Sequence, residues 1–337
     1  FFYPNRNLGS TGLRVSILGF GTHVTFGQQI SDEMAEKLLT LAYDSGINLF
    51  ETSETYCNGA AEITLGKILK NQKWRRSSYV ITTRLSKSGE AATEQGLSRK
   101  HLIEGLRGSL DRLQLDYVDI VIVSRQPDMV IPIEEVVRTC THIIQLGWAF
   151  YWGTCKWTAA EIMQAQSVAR QFNLIPSALD QIEYNMLQRG RMPCIQEICA
   201  KLNLGLVTGA PLCGGLLSAK YCDGVPNYSR ATLPGQQYFL ERIICSRGQL
   251  QRDQIRQLCK LANRIQCTCA QLAIGSVFNS TAWCLKTPFV NSVLLGAATV
   301  DQLQENLDAI EVVSRLNMAT LTEIEYILTP ENVETFL

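Results

Sequence analysis

A chain of 337 residues, 46% of them hydrophobic, can bury a large core, and α/β barrels of about 250 residues or more fold as one domain. Lys plus Arg and Asp plus Glu both number 31, so no global field draws the chain to nucleic acid or to an anionic membrane. Its longest apolar stretches, such as Asp119–Val123, fall far short of the roughly 20 residues that cross a bilayer.

In chain order, β-rich runs fall at 17–21, 48–50, 79–83, 118–123, 150–153, 178–182, 206–208 and 293–295. Amphipathic helical runs separate them, an alternation that predicts parallel strands joined by crossover helices, and eight such strands close a barrel. The helices carry start signals: Ser31 before Asp32 and Glu33, Ser98 before a face of Leu102, Leu106, Leu110 and Leu113, and Thr158 with Glu161 as a capping box. Thr299 with Gln302 repeats that pattern, and a helix at about 322–328 lies outside the repeat. The expectation is one barrel domain over 1–337, interrupted by a long loop at 211–248 that could fold over a ligand or form a disordered excursion.

The twelve cysteines include no CxxC pair, which suits free thiols in a reducing cytosol better than zinc or a disulfide scaffold. His23, His101 and His142 lie far apart, so no metal site is expected. No signal peptide is visible.

Four polar side chains fall at the carboxyl ends of the second to fourth strands, where barrels place their chemistry: Glu51, Tyr56, Arg84 and Ser124. A tyrosine beside a cation can donate a proton to a carbonyl oxygen, because the cation stabilises the phenolate left behind. A structural Glu–Arg bridge accounts for the same residues equally well. Gly296 follows the last strand, and Gln302, Glu305 and Asn306 recur at helical spacing behind it, an arrangement that can receive an adenosine and phosphate group. Lys220 and Arg230 could add positive charge for phosphates.

Longer runs carry more information than these positions. Arg6-Asn-Leu-Gly-Ser-Thr-Gly-Leu-Arg-Val15, Gly21-Thr-His-Val-Thr-Phe-Gly27, Lys73-Trp-Arg-Arg-Ser-Ser78, Gly96-Leu-Ser-Arg-Lys-His101, Tyr151-Trp-Gly-Thr154, Ser167-Val-Ala-Arg-Gln-Phe-Asn-Leu-Ile-Pro176 and Val293-Leu-Leu-Gly-Ala297 resemble the aldo-keto reductase superfamily. Within it, the chain is similar to the cytoplasmic β subunits of voltage-gated potassium channels, almost end to end. The resemblance implies a (β/α)8 TIM barrel that binds NADPH, forms a homotetramer and sits at the cytoplasmic face of the plasma membrane against the channel's pore-forming subunits. It also implies modulation of channel gating and trafficking, and weak reduction of aldehydes and ketones by an Asp, a Tyr, a Lys and an Asn.

Against that pattern, Tyr56 is retained as proton donor, while Glu51 stands for Asp, Arg84 for Lys and Ser124 for Asn. Arg is not equivalent to Lys at a site built round a compact ammonium, so proton donation by Tyr56 should be impaired. For the cofactor, the resemblance implies contacts from Thr22, His23, Gln29, Cys155, Lys156, Gln181, Pro211 and Leu212, with His23, Cys155 and Gln181 near the nicotinamide. Here His23 replaces Trp, Cys155 and Ala210 replace serines, and Gly209 replaces a stacking aromatic, while Gln181 is kept. The adenosine and phosphate end is implied to use Lys220, Tyr228, Arg230, Gly296, Gln302, Glu305 and Asn306, with Ala298 as a loss. Cofactor binding with weakened or absent turnover is the expectation, with a soluble carbonyl reductase as the alternative. Residues 275–281 look like an insertion whose Gly, Asn and Ser content should break a helix. Asn279-Ser-Thr281 is discounted as a glycosylation site.

Overall fold

The computed structural model describes residues 5–87, 89–125, 130, 132–279 and 290–329. Internal contacts divide the chain into two compact units. The first takes in the described residues of Phe1–Ile182, Arg191–Gly209 and Phe289–Val300, and the second those of Glu183–Gly190, Ala210–Pro288 and Asp301–Leu337.

The chain starts with an antiparallel hairpin of β1 (Asn5–Asn7) and β2 (Arg14–Ser16). Strand β3 (Leu18–Gly21) then alternates with helices: α1 (Asp32–Asp44), β4 (Leu49–Ser53), α2 (Ala60–Gln72), β5 (Val80–Leu85), α3 (Arg99–Leu113), β6 (Ile120–Ser124), α4 (Ile133–Gln145), β7 (Tyr151–Cys155), α5 (Ala159–Gln171), β8 (Leu179–Glu183), α6 (Met192–Leu202) and β9 (Gly205–Gly209). Helices α7 (Gln237–Ile244), α8 (Ser246–Arg264) and α9 (Cys269–Asn279) precede β10 (Ser292–Leu295), and α10 (Val300–Val312) and α11 (Met318–Leu328) complete the order. The eight strands β3 to β10 form a closed barrel in which β10 pairs with both β3 and β9.

All eight expected strands are present, and several run two residues further than apolar character alone suggests. Polar residues such as Glu51, Thr52 and Ser53 continue β4 because their backbone groups pair in register with Thr82, Thr83 and Arg84 of β5. The caps at Ser31 and Ser98 form as expected, their hydroxyls accepting from the backbone of Met34 and His101. Thr158 and Glu161 make the full capping box. Leu102, Leu106, Leu110 and Leu113 are all buried, so the predicted apolar face of α3 is the one packed inward.

Leu8 and Val15 of the hairpin segment join a core with Leu49, Val80, Ile120 and Leu179, the first residues of four barrel strands or their neighbours. The hairpin therefore fills the amino-terminal end of the barrel. Gly9 permits this approach: its φ is +57°, and a Cβ there would stand 2.3 Å from the Gly205 nitrogen.

In the second unit, the segment expected as a long loop at 211–248 is folded over much of its length. It contains a short 3-10 turn at Cys213–Ser218, all of α7 and the start of α8. Tyr221, Phe239 and Ile243 are buried from it into a core with Leu258, Leu261, Leu272 and Ile324. The i, i+4 pair Phe239 and Ile243 sets the inward face of α7. The helix break expected from Gly275 does not occur either, because α9 continues to Asn279. Leu272, Ile274 and Val277 are buried around Gly275, and a mid-helix glycine costs only about 1 kcal/mol, which such packing outweighs. Residues 280–281 of the expected insertion lie outside the described residues.

Among the described residues, no helix is long and apolar enough to cross a membrane.

Candidate active site in the barrel and a cationic pair in the second unit

Side chains alternate along a strand, so once Leu49, Val80, Ile120 and Leu179 point into the barrel, residues two or four further on point there too. That rule turns Glu51, Arg84, Ser124 and Gln181 inward at the carboxyl ends of β4, β5, β6 and β8, with Cys155 beside Ser124 in register on β7. Tyr56 comes from the turn just after β4, and its phenol is buried among them.

The Tyr56 hydroxyl donates to Glu51 Oε1 at 2.8 Å, and Gln181 Nε2 donates to the same oxygen at 3.3 Å. The Arg84 guanidinium lies 5.1 Å from the centre of the Tyr56 ring, and its Nη1 reaches Cys155 Sγ at 3.9 Å. Arg84 Nε is buried with no partner. His23 is exposed, and its ring stands 4.6 Å from that of Tyr56. The second carboxylate oxygen of Glu51 lies 3.3 Å from where a Cβ on Gly21 would stand, so glycine leaves the room that the longer acid occupies.

Burial is the largest influence on every acid in this group. It raises the Glu51 carboxyl, against the Arg84 charge and the hydrogen bonds from Tyr56 and Gln181. It raises the Tyr56 phenol well above the ordinary tyrosine value; Arg84 opposes this, while the charge and hydrogen bond of Glu51 add to it. The Cys155 thiol is raised by burial, opposed by Arg84 and by a hydrogen bond from Ser124. Burial works against the charge on Arg84, but Tyr56, Cys155 and Glu51 outweigh it and hold the guanidinium protonated.

The arrangement therefore has the parts of a carbonyl-reducing proton donor, turned upon themselves. The phenolic proton points at a carboxylate, and ionising the phenol would place two anions 2.8 Å apart.

Other residues expected to bind the cofactor also lie in the first unit. Thr22 is buried and its hydroxyl meets that of Thr52 at 3.0 Å. Gln29 is half-buried on the irregular turn at Thr25–Gln29, and Lys156 is exposed with φ +62° just past β7. At Gly209 the nearest atom to an added Cβ is the Ile182 carbonyl oxygen at 3.9 Å, which leaves open space where the resemblance implied an aromatic ring.

The second unit holds the residues assigned to the adenosine and phosphate end, Gly296 excepted; Gly296 follows β10 in the first unit. Arg230 lies close enough to Lys220 that its charge lowers the Lys220 pKa, adding to a larger lowering from partial desolvation of an otherwise exposed side chain. Among the described residues neither cation has a carboxylate partner; Arg230 contacts Gln236 and the Tyr238 hydroxyl. Tyr221 Oη and Ser229 Oγ, adjacent in sequence to these two cations, are buried with no hydrogen-bond partner. Two like charges near each other fit an anionic group. Pro211 is buried, Leu212 half-buried and Tyr228 fully exposed, while Gln302, Glu305 and Asn306 share the first turns of α10 at i, i+3 and i+4.

Two buried groups were not singled out from sequence. Glu54 Oε1 takes the Ser86 backbone N–H at 2.8 Å and lies 3.2 Å from His101 Nε2, which is 2.6 Å from the Ser86 carbonyl oxygen. Burial lowers the His101 pKa, but Glu54 and the carbonyl outweigh it and the net direction is upward. Asp180, on the outward face of β8, accepts from Thr154 at 2.7 Å through one oxygen, while the other has no partner. The signal for both was an acid in or just after a strand whose alternation points it away from water.

The site is thus an inward tyrosine, acid and cation at the carboxyl ends of the strands of a closed eight-stranded α/β barrel. The profile of the Aldo/keto reductase family matches residues 17–328, and the chain belongs to that family. Members of the family typically bind NAD(P)H.

Proposed function

We propose that this protein is an NADPH-binding regulatory subunit of voltage-gated potassium channels in which reductase chemistry is weakened. The observation that carries the weakened chemistry is the 2.8 Å hydrogen bond that commits the Tyr56 proton to Glu51. For Tyr56 to protonate a carbonyl oxygen, that bond has to break and the phenolate has to form beside a carboxylate. Arg84 favours the phenolate, but its planar fork also engages Cys155, and its Nε is left unpaired.

Cofactor binding is supported by the cationic pair Lys220 and Arg230, whose mutual repulsion an anion would relieve. These two residues would hold phosphate oxygens. The cofactor, when bound, supplies the hydride for carbonyl reduction. A 2′-phosphate adds charge, which favours NADPH over NADH.

The channel assignment is supported by the long runs of similarity through 6–15, 73–78 and 167–176, and it carries with it a homotetramer at the cytoplasmic face of the membrane. It is tested by mixing the purified protein with the isolated cytoplasmic tetramerisation domain of a voltage-gated potassium channel. A complex of four copies of each chain on multi-angle light scattering is expected, and two separate peaks at micromolar concentration contradict it. A soluble carbonyl reductase is the second reading, favoured by the survival of an acid hydrogen-bonded to the tyrosine and of a cation near its ring. Steady turnover of a small aldehyde in the absence of any channel domain, lost in Tyr56→Phe, would establish it.

A further inference from the structure

Helix α3 grips the turn that carries Tyr56 at both of its ends. At the near end, Glu54 is buried just past β4, two residues before Tyr56. Its Oε1 accepts the backbone N–H of Ser86, which stands two residues after Arg84, at 2.8 Å. His101, buried in the first turn of α3, places Nε2 2.6 Å from the Ser86 carbonyl oxygen and 3.2 Å from Glu54 Oε1. A carbonyl oxygen and a carboxylate both accept, so Nε2 carries the proton and one imidazole N–H bridges the two segments. Gly105, one turn further along α3, leaves room for the acid: a Cβ there would stand 2.8 Å from Glu54 Oε2. The Glu54 backbone N–H and the Ser53 hydroxyl also donate to the Arg84 carbonyl, at 3.2 and 2.8 Å.

At the far end, Arg112 of α3 packs over Gly59, where a Cβ would stand 2.7 Å from its Cδ. Arg112 Nε donates to Glu62 Oε2 at 2.6 Å, and Thr83, next to Arg84, donates to Glu62 Oε1 at 2.5 Å. Between the two grips, Cys57, Asn58 and Gly59 have φ of +50°, +53° and +86°. Residues with a side chain rarely adopt this left-handed backbone, and it persists where the surroundings hold it.

We infer that His101 is a positioning residue: through Glu54 and Ser86 it fixes where the Tyr56 phenol sits relative to the Arg84 guanidinium. The inference rests on the reading of Tyr56 as a proton donor helped by Arg84. His101 acts through two groups, each two residues from the side chain it places. Arg112 holds the far end separately, so losing the imidazole should loosen the turn without unfolding the barrel.

The test is nuclear magnetic resonance of the whole chain, isotope-labelled at tyrosine Cζ, in which the Tyr56 signal is the one lost in Tyr56→Phe. His101→Leu keeps most of the bulk and removes the N–H, whereas His101→Gln keeps an N–H donor of similar reach. The expected result is a shifted Tyr56 signal and about tenfold faster hydrogen exchange of the Ser86 amide in His101→Leu, with both recovered in His101→Gln. A structural role alone would lower the melting temperature and leave the Tyr56 signal in place. A folded His101→Leu with an unmoved Tyr56 signal would overturn the proposal, as would equal changes in the leucine and glutamine variants. Should the leucine variant fail to fold, nitrogen-labelled histidine in the unmutated chain decides. A protonated Nε2 upholds the bridge, and a bare Nε2 with the proton on Nδ1 overturns it. None of these readouts needs NADPH or an aldehyde, so failure to bind or oxidise the cofactor would count against the proposed function alone.

Discussion

The barrel mouth and the basic segment of the second unit handle charge in opposite ways. At the mouth, Glu51, Tyr56, Gln181, Arg84 and Cys155 are closed upon one another by hydrogen bonds and contacts inside a buried cluster. In the second unit, Lys220 and Arg230 are two cations set near each other, and among the described residues neither forms an ion pair with an acid. A cluster that satisfies itself needs no ligand to be stable and resists giving up a proton. A like-charge pair is the reverse, since it gains from any anion that arrives. On the proposed function, this difference is what would let the protein bind a cofactor while turning it over poorly.

The largest effect is expected from undoing the closure at the mouth. Restoring a shorter acid and an ammonium together, Glu51→Asp with Arg84→Lys, should free the Tyr56 proton and raise the single-turnover rate of aldehyde reduction by about 10²-fold, the low end of general acid catalysis. Adding Tyr56→Phe to that pair should remove the gain. An equal rate in the double variant and the parent would break the comparison on its first side.

On its second side, Lys220→Ala should weaken NADPH binding by about 10- to 100-fold, as expected for a charge-assisted contact of about 1.5–3 kcal/mol. Isothermal titration at two ionic strengths checks this, and the loss should shrink at high salt because Lys220 is exposed. An unchanged affinity would remove the phosphate role from Lys220.

Whether burial governs acids elsewhere in the barrel wall is sharpened by Asp180. Burial pushes its carboxyl up to about 7, against the hydrogen bond from Thr154 and the charge of Arg191. The folded value lies above the unfolded one, so the neutral form is favoured on folding; its contribution is complete below about pH 4 and is lost as pH rises towards 7. Chemical denaturation across that window should show the parent losing on the order of 3 kcal/mol relative to Asp180→Asn. Parallel curves for the two proteins would contradict it. The smallest effect belongs to a change that touches neither region: Ser98→Ala removes the cap of α3 and should cost about 1 kcal/mol in stability while leaving NADPH affinity as it was.

Much of this was legible in the chain, for reasons that differ by element. The barrel strands were read from apolar runs, and their polar last residues were missed because in a sequence Thr52 and Ser53 look like loop, whereas in a barrel they pair with the neighbouring strand. The strands Asn5–Asn7 and Arg14–Ser16 were invisible, since three-residue polar strands carry no period to detect. The segment 211–248 was judged by its glycines and prolines, and the spacing of Phe239 and Ile243 that folds α7 was overlooked. Tyr56, Glu51 and Arg84 were found as residues, but the bond from Tyr56 to Glu51 was not, and the Glu51–Arg84 bridge weighed from sequence is present only as an influence of charge. Which oxygen receives the phenolic proton depends on one methylene of Glu51 and on the space left at Gly21, and neither is written in spacing.

The central proposal, that the protein binds a cofactor and that its proton donor is inhibited, is tested most directly by titrating the purified protein with NADPH by fluorescence and then adding an excess of a reactive aromatic aldehyde. The account predicts saturable binding, followed by oxidation of the bound cofactor far slower than in the Glu51→Asp, Arg84→Lys variant measured beside it. No binding, or oxidation in the parent as fast as in that variant, would contradict it.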